Sequence, residues 1–238
     1  MKIAMWSGPR NLSTALMYSF AARADMSAVD EPFYAAYLHA TGLPHPMRGD
    51  VLASQPTDPE QALNALLEPD IAPPHQYQKH MTQHMLDGFP MHWLGQVTNV
   101  FLIRHPARVL ASWSNKHDVL TLDDIGFVQQ ARLYDKCLQD GLAPIVVDAA
   151  DIRARPEPTL RALCQAIELP WDPAMLSWRA GPKPYDGVWA AHWYDAVHRS
   201  TGFAGPEAPL PDIADHCADI VAKAMPIYDR LSVHKLTA

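Results

Sequence analysis

The chain has 238 residues, 48% of them hydrophobic, and a formal net charge of −7. That length and apolar content suit one large domain or two small ones with a sizeable core, and no run approaches the roughly 20 apolar residues of a membrane span. The acidic balance argues against a general nucleic-acid surface, so an anionic ligand needs a local basic site.

In chain order, residues 2–6 read as a short buried strand. Residues 12–24 read as a helix, with Leu12, Leu16, Met17 and Phe20 at helical spacing. The stretch MSAVDEPF holds a second strand ending near Asp30, because Pro32 interrupts regular pairing. Residues 34–57 mix Gly, Pro and His and read as mostly loop with a short helix. Thr57 or Asp58 then caps a helix with Pro59 in its first turn. HQYQKHM is a third strand, and NVFLIR at 99–104 a strongly apolar fourth. The helix HPARVLASWSNK follows, with Pro106 at its start. LDDIGFVQQARLYDKCLQD reads as one long amphipathic helix that Gly141 stops. APIVVD is another buried strand, and 156–168 is helical again. Residues 177–206, rich in aromatics, Gly and Pro, read as a long functional loop with short helices. Residues 210–231 form the last helix.

Short apolar strands alternating with helices imply an α/β fold, a parallel β-sheet flanked by helices in three layers, α/β/α. No repeat or linker divides the chain, so residues 1–238 read as a single domain. Its cysteines, Cys137, Cys164 and Cys217, lie far apart and make no CxxC pair. They read as reduced thiols, and with no apolar signal core at the N-terminus the expected location is cytoplasmic. In such folds ligands bind beyond the carboxyl ends of the strands. The residues there are Ser7 to Thr14, Asp30 and Glu31, Lys79 and His80, Arg104 and His105, and Asp148.

The stretch IAMWSGPRNLSTALMYSF turns from strand to helix through Gly8, Pro9 and Arg10. A helix start exposes unpaired amides and the positive end of the helix dipole, which suit phosphate or sulfate. Arg10 adds a charged fork, and Ser13 and Thr14 add hydroxyl donors. Simple helix capping accounts for the same residue types. Started at Gly8, the ATP-binding pattern G-x-x-x-x-G-K-[ST] fails at Ser13, Thr14 and Ala15. IVVD at 145–148 resembles the run that helps hold magnesium, but an apolar strand ending in Asp is common. The loop is therefore of phosphate type without metal chemistry, and no metal is expected. In FLIRHPARVLASW, Arg104 ends a strand and Ser112 follows eight residues later, about two helical turns on. The pair can converge on one anion; an ion-paired Arg and a solvent-facing Ser is the plainer alternative.

Together these two stretches resemble the sulfotransferase superfamily, whose members use 3′-phosphoadenosine 5′-phosphosulfate (PAPS) and release PAP. The family's first signature, Pro-[Lys/Arg]-Ser-Gly-[Ser/Thr]-[Ser/Thr], stands here as Pro9-Arg10-Asn11-Leu12-Ser13-Thr14. The second, Arg-[Asp/Asn]-Pro with a Ser eight residues after the Arg, stands as Arg104-His105-Pro106 with Ser112. The resemblance implies a P-loop NTPase-like sulfotransferase fold of bacterial type. It assigns Arg10, Ser13 and Thr14 to the 5′-phosphosulfate, and Arg104 and Ser112 to the 3′-phosphate. WRAGPKPYDGVW stands loosely where the family closes a loop over that phosphate, with Arg179 and Lys183 as its cations.

An acceptor hydroxyl or amine needs a general base. Glu31, in VDEPFY, resembles the catalytic Glu of the carbohydrate branch, though a surface carboxylate in a proline turn looks the same. Lys79 and His80 end the third strand, where the cytosolic branch carries a Lys and a His base, but here Met81 falls at that His position. Glu31 is taken over His80, and His84 is a further candidate. His45, His117 and His234 read as exposed or structural. Of Trp178, Tyr185, Trp189, Trp193, Tyr194 and Phe203, most suit packing and some an acceptor pocket. The expectation is a sulfotransferase acting on a small-molecule acceptor, with no nucleic-acid or membrane partner. A degenerate P-loop kinase or hydrolase and a non-catalytic PAP-binding module are the alternatives.

Overall fold

The computed structural model describes residues 1–68, 72–113 and 121–237. Five strands, β1 (Lys2–Ser7), β2 (Met26–Asp30), β3 (His75–Met81), β4 (Thr98–Ile103) and β5 (Ile145–Asp148), form one sheet in the order β2-β3-β1-β4-β5. All four pairings are parallel. Between and after them come α1 (Ser13–Ala21), α2 (Tyr34–Thr41), α3 (Arg48–Ser54), α4 (Pro59–Leu67), α5 (Pro106–Trp113) and α6 (Phe127–Gln139). Beyond β5 follow α7 (Ala149–Ala154), α8 (Pro156–Ala166), α9 (Ala190–Trp193), α10 (Asp195–His198) and α11 (Asp215–Ser232).

Successive strand side chains point to opposite faces, so a central strand covered on both sides is apolar throughout. Ile3 and Met5 of β1 pack into one layer with Leu16, Leu38, Ile152 and Leu163, from α1, α2, α7 and α8. Ala4 and Trp6 pack into the other with Leu63, Leu133 and Leu231, from α4, α6 and α11. α5 lies against α11 through Val109, Leu110, Cys217 and Ala224. The three cysteines are buried and unpaired. Among the described residues, no helix is long and apolar enough to cross a membrane.

Four elements differ from the expected ones. Residues 34–57 hold two helices, α2 and α3, because Tyr34, Leu38 and Val51 bury an apolar face amid the polar mixture. α6 starts at Phe127, not Leu122. Gly126 before it has φ 72°, and a side chain there would meet Thr82 Oγ1 at 2.5 Å. α7 follows β5 at once, capped by Asp148, whose side chain accepts from the Ala150 amide. α11 begins at Asp215 rather than 210, since Pro211 keeps the residue before it extended. Residues 114–116 of the helix expected after Arg104, and His117, lie outside the described residues.

β1 leads through α1 to β2 on one side, whereas β4 leads to β5 on the other. The carboxyl ends of β1 and β4 therefore flank the switch point of the sheet, where crossovers part and a crevice opens.

Candidate active site

A cleft of about 690 Å³ opens over these strand ends. The loop after β1 forms one wall. Gly8 passes so close to Ile125 that a side chain there would meet the Ile125 carbonyl oxygen at 2.4 Å. Arg10 and Leu12 follow at φ 60° and 70°, left-handed conformations that L-residues disfavour. Leu12 occupies the glycine position of the first signature and keeps the backbone path a glycine permits. Its carbonyl accepts from the Leu16 amide at 3.0 Å, and no side chain caps α1. The amides of Ser13, Thr14 and Ala15 are thus without intrahelical partners at the cleft wall. Asn11 is buried and donates to the Leu102 carbonyl at 3.4 Å, tying the loop to β4.

The second signature meets the first here. Arg10 Nε donates to Ser112 Oγ at 2.9 Å, and Arg104 Nη1 donates to the Arg10 carbonyl at 2.5 Å. Burial and then repulsion from the Arg104 cation push the Arg10 pKa down, and both guanidinium side chains line the cleft. A bound anion relieves that repulsion.

At the other end, β2 and β3 supply a buried ionic cluster. Lys79 Nζ donates to Asp30 at 2.9 Å, to Glu31 at 2.5 Å and to Tyr194 at 2.6 Å. The Tyr194 hydroxyl also lies 2.8 Å from Asp30 Oδ2, which accepts the Gly187 amide at 3.1 Å. Burial alone would lower the Lys79 pKa, but Asp30 and Glu31 outweigh it and raise it. One ammonium cannot neutralise two carboxylates. Burial chiefly, with Asp30 adding to it against Lys79, raises Glu31 above the ordinary 4.5. Glu31 is therefore more basic than a surface glutamate. It too sits at a positive φ, 42°. Of the five non-glycine residues with positive φ among those described, Arg10, Leu12 and Glu31 line the cleft. Backbone strain of this kind gathers at functional sites.

Three further cleft residues, Asn11, Gln83 and His84, each carry a buried polar atom with no hydrogen-bond partner. Buried polar groups are nearly always paired, so these suit a ligand. His84 is stacked on Tyr34 at 4.5 Å, with Nδ1 4.0 Å from Glu31. Burial, then His45, Lys79 and His80, hold its pKa well below 6.5.

A family model described as a sulfotransferase domain matches residues 1–234. The chain belongs to the sulfotransferase family. Solved structures agree at the level of fold. The sulfotransferase domain from the curacin biosynthetic pathway aligns with 99% of this chain and 92% of its own, with TM-score 0.52 and 16% identity. The sulfotransferase domain of the Synechococcus PCC 7002 olefin synthase covers 100% and 96%, with TM-score 0.56 and 16% identity. A sulfotransferase from Alicyclobacillus acidocaldarius covers 99% and 96%, with TM-score 0.56 and 11% identity. Two Arabidopsis thaliana proteins, branched-chain-amino-acid aminotransferase-like proteins 1 and 2, are 38% and 35% identical over 229 residues, 96% of this chain. The match takes up 41% of each, so the chain spans about two fifths of the length of these curated relatives.

This sulfotransferase-family chain brings Pro9, Arg10, Asn11, Leu12, Ser13, Thr14, Glu31, Arg104 and Ser112 to one cleft. It does not bring His80, Arg179 or Lys183 there. His80 neighbours Lys79 on β3 and so faces the opposite layer. It stacks on Trp6 at 4.3 Å, and burial lowers its pKa to about 3. Arg179 and Lys183 border a separate hollow beside Tyr18 and Trp178. Lys183 Nζ is taken up by the Arg179 and Gly181 carbonyls at 2.6 and 2.8 Å. The part of the 177–206 region that does line the cleft falls within 193–204 and includes Trp193, Tyr194 and the run Arg199-Ser200-Thr201-Gly202. That run pairs a cation with hydroxyls and a glycine, a signal visible in the sequence but passed over. Asp148, the residue a kinase would use for magnesium, has both oxygens engaged. One accepts the Ala150 amide at 2.8 Å, the other the Tyr228 hydroxyl at 2.7 Å. Among the described residues, no three His, Cys, Asp or Glu group as a metal site.

Proposed function

We propose that this chain transfers a sulfuryl group from PAPS to a hydroxyl or amine of a small-molecule acceptor. The observation that carries the reading is the Arg10–Ser112 hydrogen bond of 2.9 Å, which joins two distant motifs at the start of α1 and about one cleft. The donor set fits a nucleotide with anions at both ends: amides and hydroxyls of Ser13 and Thr14 with Arg10 for one, Arg104 and Ser112 for the other, with Arg199 a further cation of the same cleft. Such a donor supplies a sulfuryl group already activated by its phosphate leaving group.

The residues divide the work by position. Arg10 and the α1 amides meet the negative charge that develops on the bridging oxygen as the sulfur–oxygen bond breaks. A donor fixed before that moment needs no reorganisation, and Ser112 and Arg104, which hold the side chain and the carbonyl of Arg10, supply the fixing. Glu31 takes the acceptor's proton as its oxygen or nitrogen bonds to sulfur, and its raised pKa suits it to that task. Lys79 holds the Glu31 carboxylate in place through Oε1. Tyr34, Trp193 and His84 offer flat walls beside it for the acceptor. The buried, unpaired cysteines suit a reducing, cytoplasmic setting.

Thermal melts with PAP and with magnesium-ATP test the donor assignment. PAP at about 100 times its dissociation constant adds roughly 2.7 kcal/mol of stability. Equal or greater stabilisation by magnesium-ATP would sink the reading in favour of a kinase. Transfer of label from PAPS across a panel of alcohols, phenols and amines tests turnover.

A further inference from the structure

Glu207 lies in the irregular stretch between α10 and α11, yet its side chain is only 4% exposed. Three arginines from three elements converge on it. Arg104, just past β4, donates to Oε1 through Nε at 3.0 Å and Nη2 at 2.5 Å. Arg153 of α7 donates to the same oxygen at 3.2 Å, and Arg108 of α5 approaches Oε2 at 2.7 Å. The flanking backbone is held by the same side chains. Arg108 Nη2 donates to the Ala208 carbonyl at 2.5 Å, and Arg153 Nε to that of Gly205 at 2.9 Å. Arg104 lines the cleft and Glu207 does not, so the carboxylate stands behind the guanidinium.

We propose that Glu207 is a positioning residue that aims Arg104 at the donor's 3′-phosphate. The inference rests on the proposed assignment of that phosphate to Arg104. A guanidinium carries its five N–H donors in one plane, so which edge meets a phosphate depends on how that plane is turned. Glu207 takes the Nε–Nη2 edge and the Arg10 carbonyl takes an N–H of Nη1, which fixes the plane from two sides. The terminal N–H groups left over are those available to the cleft. Without the carboxylate, three like charges would crowd one point and Arg104 would lose its partner along that edge. With it, the cluster keeps two positive charges in excess, which complements a phosphate monoester of about −1.5 to −2.

A mere anchor for the 205–208 backbone would affect every nucleotide alike, so the test compares two that differ only in the 3′-phosphate. Titration calorimetry of the full chain with PAP and with AMP reads the ratio of their affinities. The wild type should favour PAP by tenfold or more. In Glu207→Gln that ratio should fall at least tenfold while AMP affinity stays within about threefold. An undiminished ratio, or equal losses for both nucleotides, overturns the inference. A wild type without preference for PAP overturns the Arg104 assignment itself, and the inference with it, and this is seen before any variant is made. Should Glu207→Gln fail to fold, Glu207→Asp keeps the charge and draws it back by one methylene. It should lower the ratio several-fold at a near-normal melting temperature, and an unchanged ratio in that folded variant again overturns the inference.

Discussion

Arg10 and Ser112, 102 residues apart in the chain, share a hydrogen bond of 2.9 Å from Nε to Oγ. The bond holds Arg10 over the start of α1, where charge would appear on the leaving group. Arg10→Ala should therefore lower turnover more than PAP affinity, because such a group acts mainly in the transition state. A lost charge-assisted contact costs about 1.5–3 kcal/mol, roughly 10- to 150-fold in rate. Parallel measurement of kcat and PAP affinity checks this. Normal turnover with poor affinity would demote Arg10 to a ground-state anchor.

Arg104→Ala should weaken PAP binding by a similar 1.5–3 kcal/mol and leave AMP binding nearly unchanged. Glu207 keeps Arg108 and Arg153 as partners in that variant, so the carboxylate is not stranded. Calorimetry with both nucleotides decides it, and matching losses would remove Arg104 from the 3′-phosphate.

Glu31→Gln keeps shape and removes basicity. It should retain PAP binding and lose about 10²–10⁴ in turnover. A base works only when deprotonated, and burial raises the Glu31 pKa above 4.5. Wild-type turnover should accordingly fall as pH drops through a value above 4.5. The residual turnover of Glu31→Gln should lack that limb. A pH–rate profile unchanged by the substitution would return the base to another residue.

His80 bears on stability rather than on chemistry. Burial lowers its pKa from 6.5 to about 3, so between those values the unfolded chain takes up a proton that the folded one refuses. Stability is thus intact above pH 6.5 and declines as pH falls toward 3, with a ceiling of roughly 4–5 kcal/mol from this group. His84, also held low by burial, acts in the same direction. His80→Phe keeps a ring against Trp6 and should flatten part of the pH dependence in urea unfolding. An unaltered slope would show that His80 titrates normally in the fold.

Much of the architecture was legible because it rests on local signals. β1, β4 and β5 are short apolar runs, and the Pro9–Thr14 and Arg104–Ser112 spacings follow strands. The α2–α3 pair was obscured because glycine, proline and histidine outnumber the few buried residues that decide it. Strand alternation, by contrast, held usable information: Lys79 and His80 are adjacent, so only one of them can face the cleft. The rest of the site depends on where an irregular stretch crosses the sheet ends. Tyr194 and Arg199 reach the cleft, whereas Arg179 and Lys183, in the same region, turn to Tyr18. No periodicity encodes that choice. Glu207, set among prolines and alanines, has the look of a solvated carboxylate until three arginines are found around it.

The central place of β1 also bears on how the chain is made. Ile3 pairs with Tyr77 on one side and with Thr98 on the other. During synthesis the first strand of the sheet thus has no neighbour until β3 leaves the ribosome, and only one until β4 follows. At about 5–20 residues per second that interval lasts some seconds to tens of seconds. For most of it the mainly apolar segment Lys2–Ser7 has both edges open in the nascent chain, and for the remainder one. Parallel pairing of this range also closes slowly after release. Yield in cells should therefore respond to chaperone supply and growth temperature more than the stability of the finished fold would suggest.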